Sequence, residues 1–121
     1  MSDEIKAPED WLPLTPAVFH ILLALADEER HGYAIMQEVE GRTEGAVTLG
    51  PGTLYGSVKR LLAGGLIEES DDRPDPKMDD ERRRYYRLTT FGRRVAQAEA
   101  ARLASLLAQA QEKHLLPAEL G

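Results

Sequence analysis

The residues with the clearest chemical potential in this sequence are cations, and they are concentrated in one segment. Ten of the 15 lysines and arginines lie in residues 51–94, although the whole chain has a net charge of −6. Lys59 and Arg60 are adjacent, and Arg82–Arg84 form an unbroken basic run. Such side chains bind phosphate oxygens, and a local patch rather than the total charge decides this contact. The segment favours a phosphate-rich partner, with a merely uneven surface as the alternative.

A helix over residues 51–64 would position the first pair of cations. Pro51 suits the first helical position, and Gly64 and Gly65 suit its end, where a positive φ stops a helix. Apolar residues recur at helical spacing along one stripe, Leu54, Val58, Leu61 and Leu62. The opposite face carries Gly52, Thr53, Gly56, Lys59, Arg60 and Ala63. Small residues beside cations suit close approach to a phosphate-lined groove, although a solvated surface helix has the same shape.

The second group of cations lies in a predicted β-hairpin. An apolar strand begins at Leu66, a polar loop follows, and alternating residues predict a second strand over 84–88. Five aspartates make the loop acidic, so that Lys77 and the arginine run must make any contact with DNA. These aspartates could also be read as a paired-carboxylate active site, but a loop does not hold two carboxyls in fixed geometry. The order helix, strand, basic loop, strand predicts a helix-turn-helix with a wing.

Two further helices are predicted upstream. The first begins at Thr15 and Pro16, and the second runs from His31 to Gly41. Residues 27–30 are expected to form a polar connection between them. We also expect the apolar run 46–49 to form a small edge strand that pairs with the hairpin.

The last predicted helix runs over residues 91–114 and carries a heptad seam. The seam residues step by 4, 3, 4 and 3 and comprise Ala96, Ala100, Leu103, Leu107 and Ala110, with Leu106 alongside. Phe19 and Leu23 give the first helix a second apolar face. We therefore expect a homodimer in which the seam packs against its symmetry mate and the first helix, rather than folding back on its own domain.

Several classes of function find no support in the sequence. There is no cysteine, and the three histidines lack metal-ligand spacing. No nucleotide-binding loop or nucleophile motif is present, so we expect no enzyme, no cofactor and no metal. No apolar run is long enough to span a bilayer, and the acidic N-terminus is unlike a signal peptide, which predicts a cytoplasmic protein without membrane contact.

The ordered motifs resemble those of the PadR-like winged-helix transcriptional regulators. The residues that carry this resemblance span roughly 12 to 95 and are Leu14, Thr15, Ile21, Leu22, His31–Tyr33, Pro51–Tyr55, Leu61–Ile67, Arg84–Thr89 and Gly92. The resemblance implies a mainly α fold with a small β-hairpin wing: a winged helix-turn-helix plus one C-terminal dimerisation helix. We therefore divide the chain into a tail or arm (1–11), the DNA-binding domain (12–90), the dimerisation helix (91–116) and a tail (117–121).

The function predicted from the residues and the resemblance together is that of a dimeric, sequence-specific regulator, a repressor that reads a pseudo-palindromic operator. The predicted DNA-binding residues are Tyr33, Gly52, Thr53, Tyr55, Gly56, Lys59, Arg60, Lys77, Arg82, Arg83 and Arg84. The resemblance also implies a small aromatic effector, although the last helix lacks the tryptophan with which one subgroup stacks flat drugs. The alternative is a winged-helix protein-interaction module that does not bind DNA.

Overall fold

The computed structural model describes residues 7–70 and 84–117. A short 3₁₀ turn, Pro8–Trp11, precedes the four helices and three strands of the described segments. In chain order these are α1 (Pro16–Ala24), β1 (Arg30–His31), α2 (Gly32–Arg42), α3 (Pro51–Ala63), β2 (Ile67–Ser70), β3 (Tyr85–Leu88) and α4 (Thr90–Glu112). The mainly helical winged architecture predicted from the sequence is confirmed.

Helix starts are fixed by side chains in three of the four helices. The Thr15 hydroxyl accepts a hydrogen bond from the Val18 amide, 3.2 Å away, and so caps α1. Thr89 caps α4 in the same way through the Gly92 amide, at 2.9 Å. His31 caps α2, because its Nδ1 accepts from the Ala34 amide at 3.1 Å. These bonds satisfy amides that have no partner inside the helix.

The sheet has the strand order β1-β3-β2, and both pairings are antiparallel. The two wing strands predicted from the sequence form and pair Ile67 with Leu88 and Ser70 with Tyr85. The third strand is β1, which pairs Arg30 with Tyr86, so the prediction that residues 46–49 form the edge strand was wrong. Those residues lie in a loop, where Leu49 is buried and packs into the core instead.

The core lies where α1, α2, α3 and the base of the sheet meet. Ile21 and Leu22 of α1 are fully buried, as are Leu54 and Leu61 of α3. The cluster is completed by Leu14, Val18, Ala24, Leu25, Ile35, Val39, Leu49, Val58, Leu66, Ile67, Tyr86 and Val95. Removing this apolar surface from water stabilises the orientation of α3 on its neighbours.

Candidate nucleic-acid interface

The face of α3 that carries small and cationic residues points away from the core. Leu54, Val58 and Leu61 are buried beneath the helix. On the opposite side every predicted face residue is exposed, namely Gly52, Thr53, Gly56, Lys59, Arg60 and Ala63. The helix therefore has one side fixed by packing and one side available to a partner.

Two glycines on this face are not required by the fold. A Cβ built on Gly52 or Gly56 would meet no atom within 4 Å, and neither residue has a positive φ. Gly32 is different, because a Cβ there would lie 2.7 Å from Cζ of Tyr55. The absence of side chains at Gly52 and Gly56 thus leaves open surface on α3 without serving its internal packing.

The N-terminus of α3 is left open as well. Its N-cap is Gly50, which provides no side-chain hydrogen bond. Pro51 has no amide hydrogen, so Gly52 and Thr53 present the first free amides of the helix. Amides at a helix N-terminus, together with the helix dipole, favour an anion such as phosphate.

The cations of α3 differ from those at the base of the wing in their pairing. Within residues 7–70 and 84–117, no carboxylate forms an ion pair with Lys59 or Arg60. Arg84, by contrast, lies 3.5 Å from Glu69. The other predicted wing contacts, Lys77, Arg82 and Arg83, lie outside the described residues. Among the predicted DNA-binding cations that the structure describes, those without an ion-pair partner are therefore on α3.

The two predicted tyrosines occupy different environments. Tyr33, in the first turn of α2, is 51% exposed, so its hydroxyl can reach a ligand. Tyr55 is half-buried and packs against the core, with the end of its ring over Gly32. Tyr55 therefore lies at the contact between α2 and α3, where it braces the two helices.

His31 is a site residue whose role the sequence analysis missed. Besides capping α2, its ring meets the Tyr85 ring edge-to-face, with centroids 5.3 Å apart. Tyr85 belongs to β3, so His31 joins the wing to the helix that supports α3. Histidine is not among the preferred N-cap residues, and the Tyr85 contact has no local signal, so neither role was predictable from the sequence.

The wing base also holds a network of charges. Arg87 lies 2.9 Å from Glu68 and 3.7 Å from Glu29, so it links β3 to β2 and to the residue preceding β1. All three side chains are at least partly solvated, and each such pair contributes little on its own. They lie beside the backbone pairing of β1 with β3, which joins β1 to the hairpin.

The seam on α4 is largely uncovered in the single chain. Ala96 is half-buried near the start of the helix, and Ala110 is half-buried near its end, whereas Ala100 is exposed. Leu103, Leu106 and Leu107 are between 39% and 47% exposed. In α1, Leu23 is 37% exposed, while Phe19 is half-buried and packs against the core. Only the first part of α4 packs on its own domain, so an apolar strip remains open.

Glu99 is the last buried residue along α4. Its carboxylate is buried and accepts two hydrogen bonds of 2.8 Å from Arg102. These bonds, with help from the Leu14 backbone, hold the pKa of Glu99 below its ordinary value even though burial acts in the opposite direction. The exposed leucines begin one turn later, at Leu103.

Two further observations concern the described segments. No group of three or more potential metal ligands occurs in them. In the same residues, no helix combines the length and the apolar character that crossing a membrane requires.

Comparison with known proteins gives consistent results. The family model described as "Transcriptional regulator PadR-like family" matches residues 21–98. The transcriptional regulator Rv3488 of Mycobacterium tuberculosis is 40% identical over 74 residues, which are 61% of this chain and 63% of that protein. Matches to the curated relatives cover between 22% and 64% of their lengths.

Solved structures are similar over most of the chain. RosR of Halobacterium salinarum is 30% identical, with a TM-score of 0.60 over 83% of this chain and 80% of that one. Bacillus subtilis PadR, solved in complex with operator DNA, has a TM-score of 0.59 at 22% identity and covers 75% of this chain and 48% of its own. At 22% identity, the likeness to PadR is one of fold.

Proposed function

Because the chain belongs to the transcriptional regulator PadR-like family, we propose that it is a dimeric, sequence-specific DNA-binding regulator. In this proposal residues 12–90 form the DNA-binding domain and residues 91–116 form the dimerisation helix. The regulator acts as a repressor, since a dimer bound over a promoter excludes other proteins from it. Bacillus subtilis PadR, which shares the fold, has been solved with operator DNA, and this supports the choice of ligand.

The observation that carries the proposal is the exposed face of α3. Its buried stripe fixes the helix on the core, and the opposite face combines open glycines with cations that have no ion-pair partner in the described segments. A helix of this kind fits the major groove, where base edges must be approached closely and phosphates line both walls.

The proposed roles differ along α3. Gly52 and Gly56 allow the backbone to come near the bases, and the Thr53 hydroxyl can bond to a base edge or a phosphate. Lys59 and Arg60 bind phosphates, or a guanine if the groove brings one within reach. Tyr33 donates its hydroxyl to a phosphate from the start of α2. Tyr55 contributes chiefly by bracing α3 on α2.

The wing would contact the flanking backbone or the minor groove. Lys77, Arg82, Arg83 and Arg84 are assigned to this role by their position in the sequence. Arg84 is exposed but lies near Glu69, so its contact with phosphate would replace an ion pair rather than add to an unpaired charge. We therefore expect Arg84 to contribute less than Lys59.

Dimerisation completes the proposed reading of the operator. Paired recognition helices bind successive major grooves when they are about 34–36 Å apart. The exposed leucines of α4, with Leu23 of α1, supply the apolar surface for such a pairing. A small aromatic effector, as the family resemblance implies, would act by changing this pairing or the orientation of α3.

The first experiment is a binding measurement at several salt concentrations. DNA from upstream of the gene should be shifted by the wild-type chain, and affinity should fall steeply as salt rises. In Lys59→Ala the affinity for every duplex should fall, and the slope of log K against log salt should become shallower by about 1.8, because the dimer loses one phosphate contact in each subunit.

Lys113→Ala is the matched control, because Lys113 is an exposed lysine at the far end of α4. This variant should leave the slope unchanged. An unchanged slope in Lys59→Ala would refute its phosphate contact. A wild-type chain that shifts no duplex, including those enriched from a random pool, would favour the protein-interaction module instead.

A further inference from the structure

Trp11, the only tryptophan of the chain, packs against the end of α3. Gly64 is the C-cap of that helix and has a φ of −86°, which any residue adopts. A Cβ on Gly64 would nevertheless lie 2.6 Å from Cη2 of Trp11. Gly65 alone supplies the left-handed conformation of the turn, with a φ of 79° and open space around it. Glycine is therefore needed at position 64 because the Trp11 ring occupies the space of a side chain, and not because the backbone conformation requires it.

The same turn also contacts the start of α4. The Thr89 hydroxyl lies 2.6 Å from the carbonyl oxygen of Gly65 and 3.1 Å from that of Leu66. Gly92 presses on the Leu66 backbone so closely that a Cβ would lie 2.8 Å from its carbonyl carbon. The turn that ends α3 therefore contacts both Trp11 and the start of α4.

The segment that carries Trp11 is itself attached to α4. The turn Pro8–Trp11 packs along that helix. The Leu14 backbone interacts with the buried Glu99 carboxylate, which Arg102 also holds. Residues 8–14 therefore connect the end of α3 to the middle of α4, immediately before its exposed leucines.

We propose that Trp11 is a positioning residue for α3, and that residues 8–14 with the turn 64–66 form a joint that sets the spacing between two recognition helices. The inference rests on the proposed function, because it assigns α3 to DNA and α4 to the dimer. A twofold axis doubles the component of a displacement of α3 against α4 that is perpendicular to the axis. A shift of about 1.7 Å per subunit would then amount to about one base-pair step of 3.4 Å along a strand.

The test compares operators that differ only in half-site spacing. A duplex is first selected from a randomised pool by the wild-type chain, and versions with one base pair removed from or added to the central spacer are prepared. The wild type should prefer one spacing by about tenfold or more. In Trp11→Ala this preference should fall several-fold, while the salt slope at the preferred spacing and the dimer mass stay unchanged.

The outcomes separate the two hypotheses. A wild-type chain that selects no duplex would refute the proposed function itself. An equal loss of affinity for all three spacings in Trp11→Ala would show a general structural role and overturn the joint. Trp11→Phe, which keeps an aromatic ring over Gly64, should retain most of the preference.

A double-mutant cycle tests the contact without relying on one variant. Gly64→Ala should displace the ring, change the emission of the single tryptophan, and weaken the spacing preference as Trp11→Ala does. In the Trp11→Ala background the same change should have little further effect on the preference, because the ring is already absent. Additive effects on the preference, or an unchanged emission, would overturn the proposal.

Discussion

Gly56 lies on the exposed face of α3, where an added methyl group would meet no atom of the protein. Glycine within a helix costs about 0.5–1 kcal/mol relative to alanine. We therefore expect Gly56→Ala to raise the stability measured by urea unfolding by about that amount. Operator affinity should nevertheless fall, by about tenfold or 1.4 kcal/mol, because the methyl group would lie between the helix and the bases.

Gly41 provides the control for this substitution. It lies in α2, is exposed, and likewise has no atom within 4 Å of a built Cβ. Gly41→Ala should leave operator affinity unchanged. If Gly56→Ala also left affinity unchanged, close approach of α3 to the groove would be excluded as the reason for its open surface.

Glu99 gives the fold a pH dependence of defined sign. Arg102 holds the pKa of this carboxylate below its ordinary value. A group with a lowered folded-state pKa stabilises the fold above its unfolded-state pKa of about 4.3, and this contribution is lost as the pH falls below that value. Urea unfolding of Glu99→Gln should therefore show lower stability at pH 7 and a smaller further loss in acid than the wild type. Glu112→Gln, which changes an exposed carboxylate of the same helix, should retain the wild-type acid dependence.

At the scale of elements, helical periodicity and capping chemistry are readable from the sequence. The helix predicted over 51–64 is observed at Pro51–Ala63, and Thr15, predicted at the start of the first helix, forms its capping hydrogen bond. The strand β1 was not predictable, since two residues have no periodicity and Arg30–His31 becomes a strand only by pairing with β3. The apolar run 46–49 was wrongly predicted as a strand because Leu49 is buried in the core and Val47 packs against it from a loop.

The candidate site likewise has one part that is predictable from the sequence and one part that is not. The open and cationic face of α3 follows from residue spacing alone, because a single helix determines it. The half-burial of Tyr55 and the proximity of Arg84 to Glu69 depend on how elements cross, which the sequence does not encode locally. The contact between Trp11 and Gly64 was not predictable either, because it joins residues far apart in the chain.

Substitution of Thr89 measures how much a single N-cap contributes to the stability of the fold. Its hydroxyl accepts from the Gly92 amide and lies within hydrogen-bond distance of the Gly65 carbonyl oxygen. Thr89→Ala removes both bonds, so unfolding in urea should show a loss of about 1–2 kcal/mol. Thr90→Ala is the adjacent control, because Thr90 is exposed and lies inside the helix. A loss of stability no larger in Thr89→Ala than in Thr90→Ala would contradict the assigned role.

For the whole molecule, charge and apolar surface are separated along the chain. Residues 51–94 hold most of the cations, and residues 1–50 hold 10 of the 21 acids. An acidic remainder repels DNA outside the proposed interface and so restricts binding to one face. The exposed leucines lie on α4, and this separation lets one surface recognise DNA while another joins two copies.

The leucines of α4 carry the prediction for assembly. Leu103→Glu combined with Leu107→Glu places two charges in the proposed seam, where burying them without partners is strongly unfavourable. The wild type should therefore be a dimer by light scattering and the double variant a monomer with unchanged helical content by circular dichroism. Because one half-site then binds without the other, operator affinity should fall about 10²-fold or more.

Leu115→Glu is the control, since Leu115 is 75% exposed and lies beyond the end of α4. A double variant that remained dimeric would place the interface elsewhere, and a monomeric wild type that bound the operator would remove dimerisation from the mechanism.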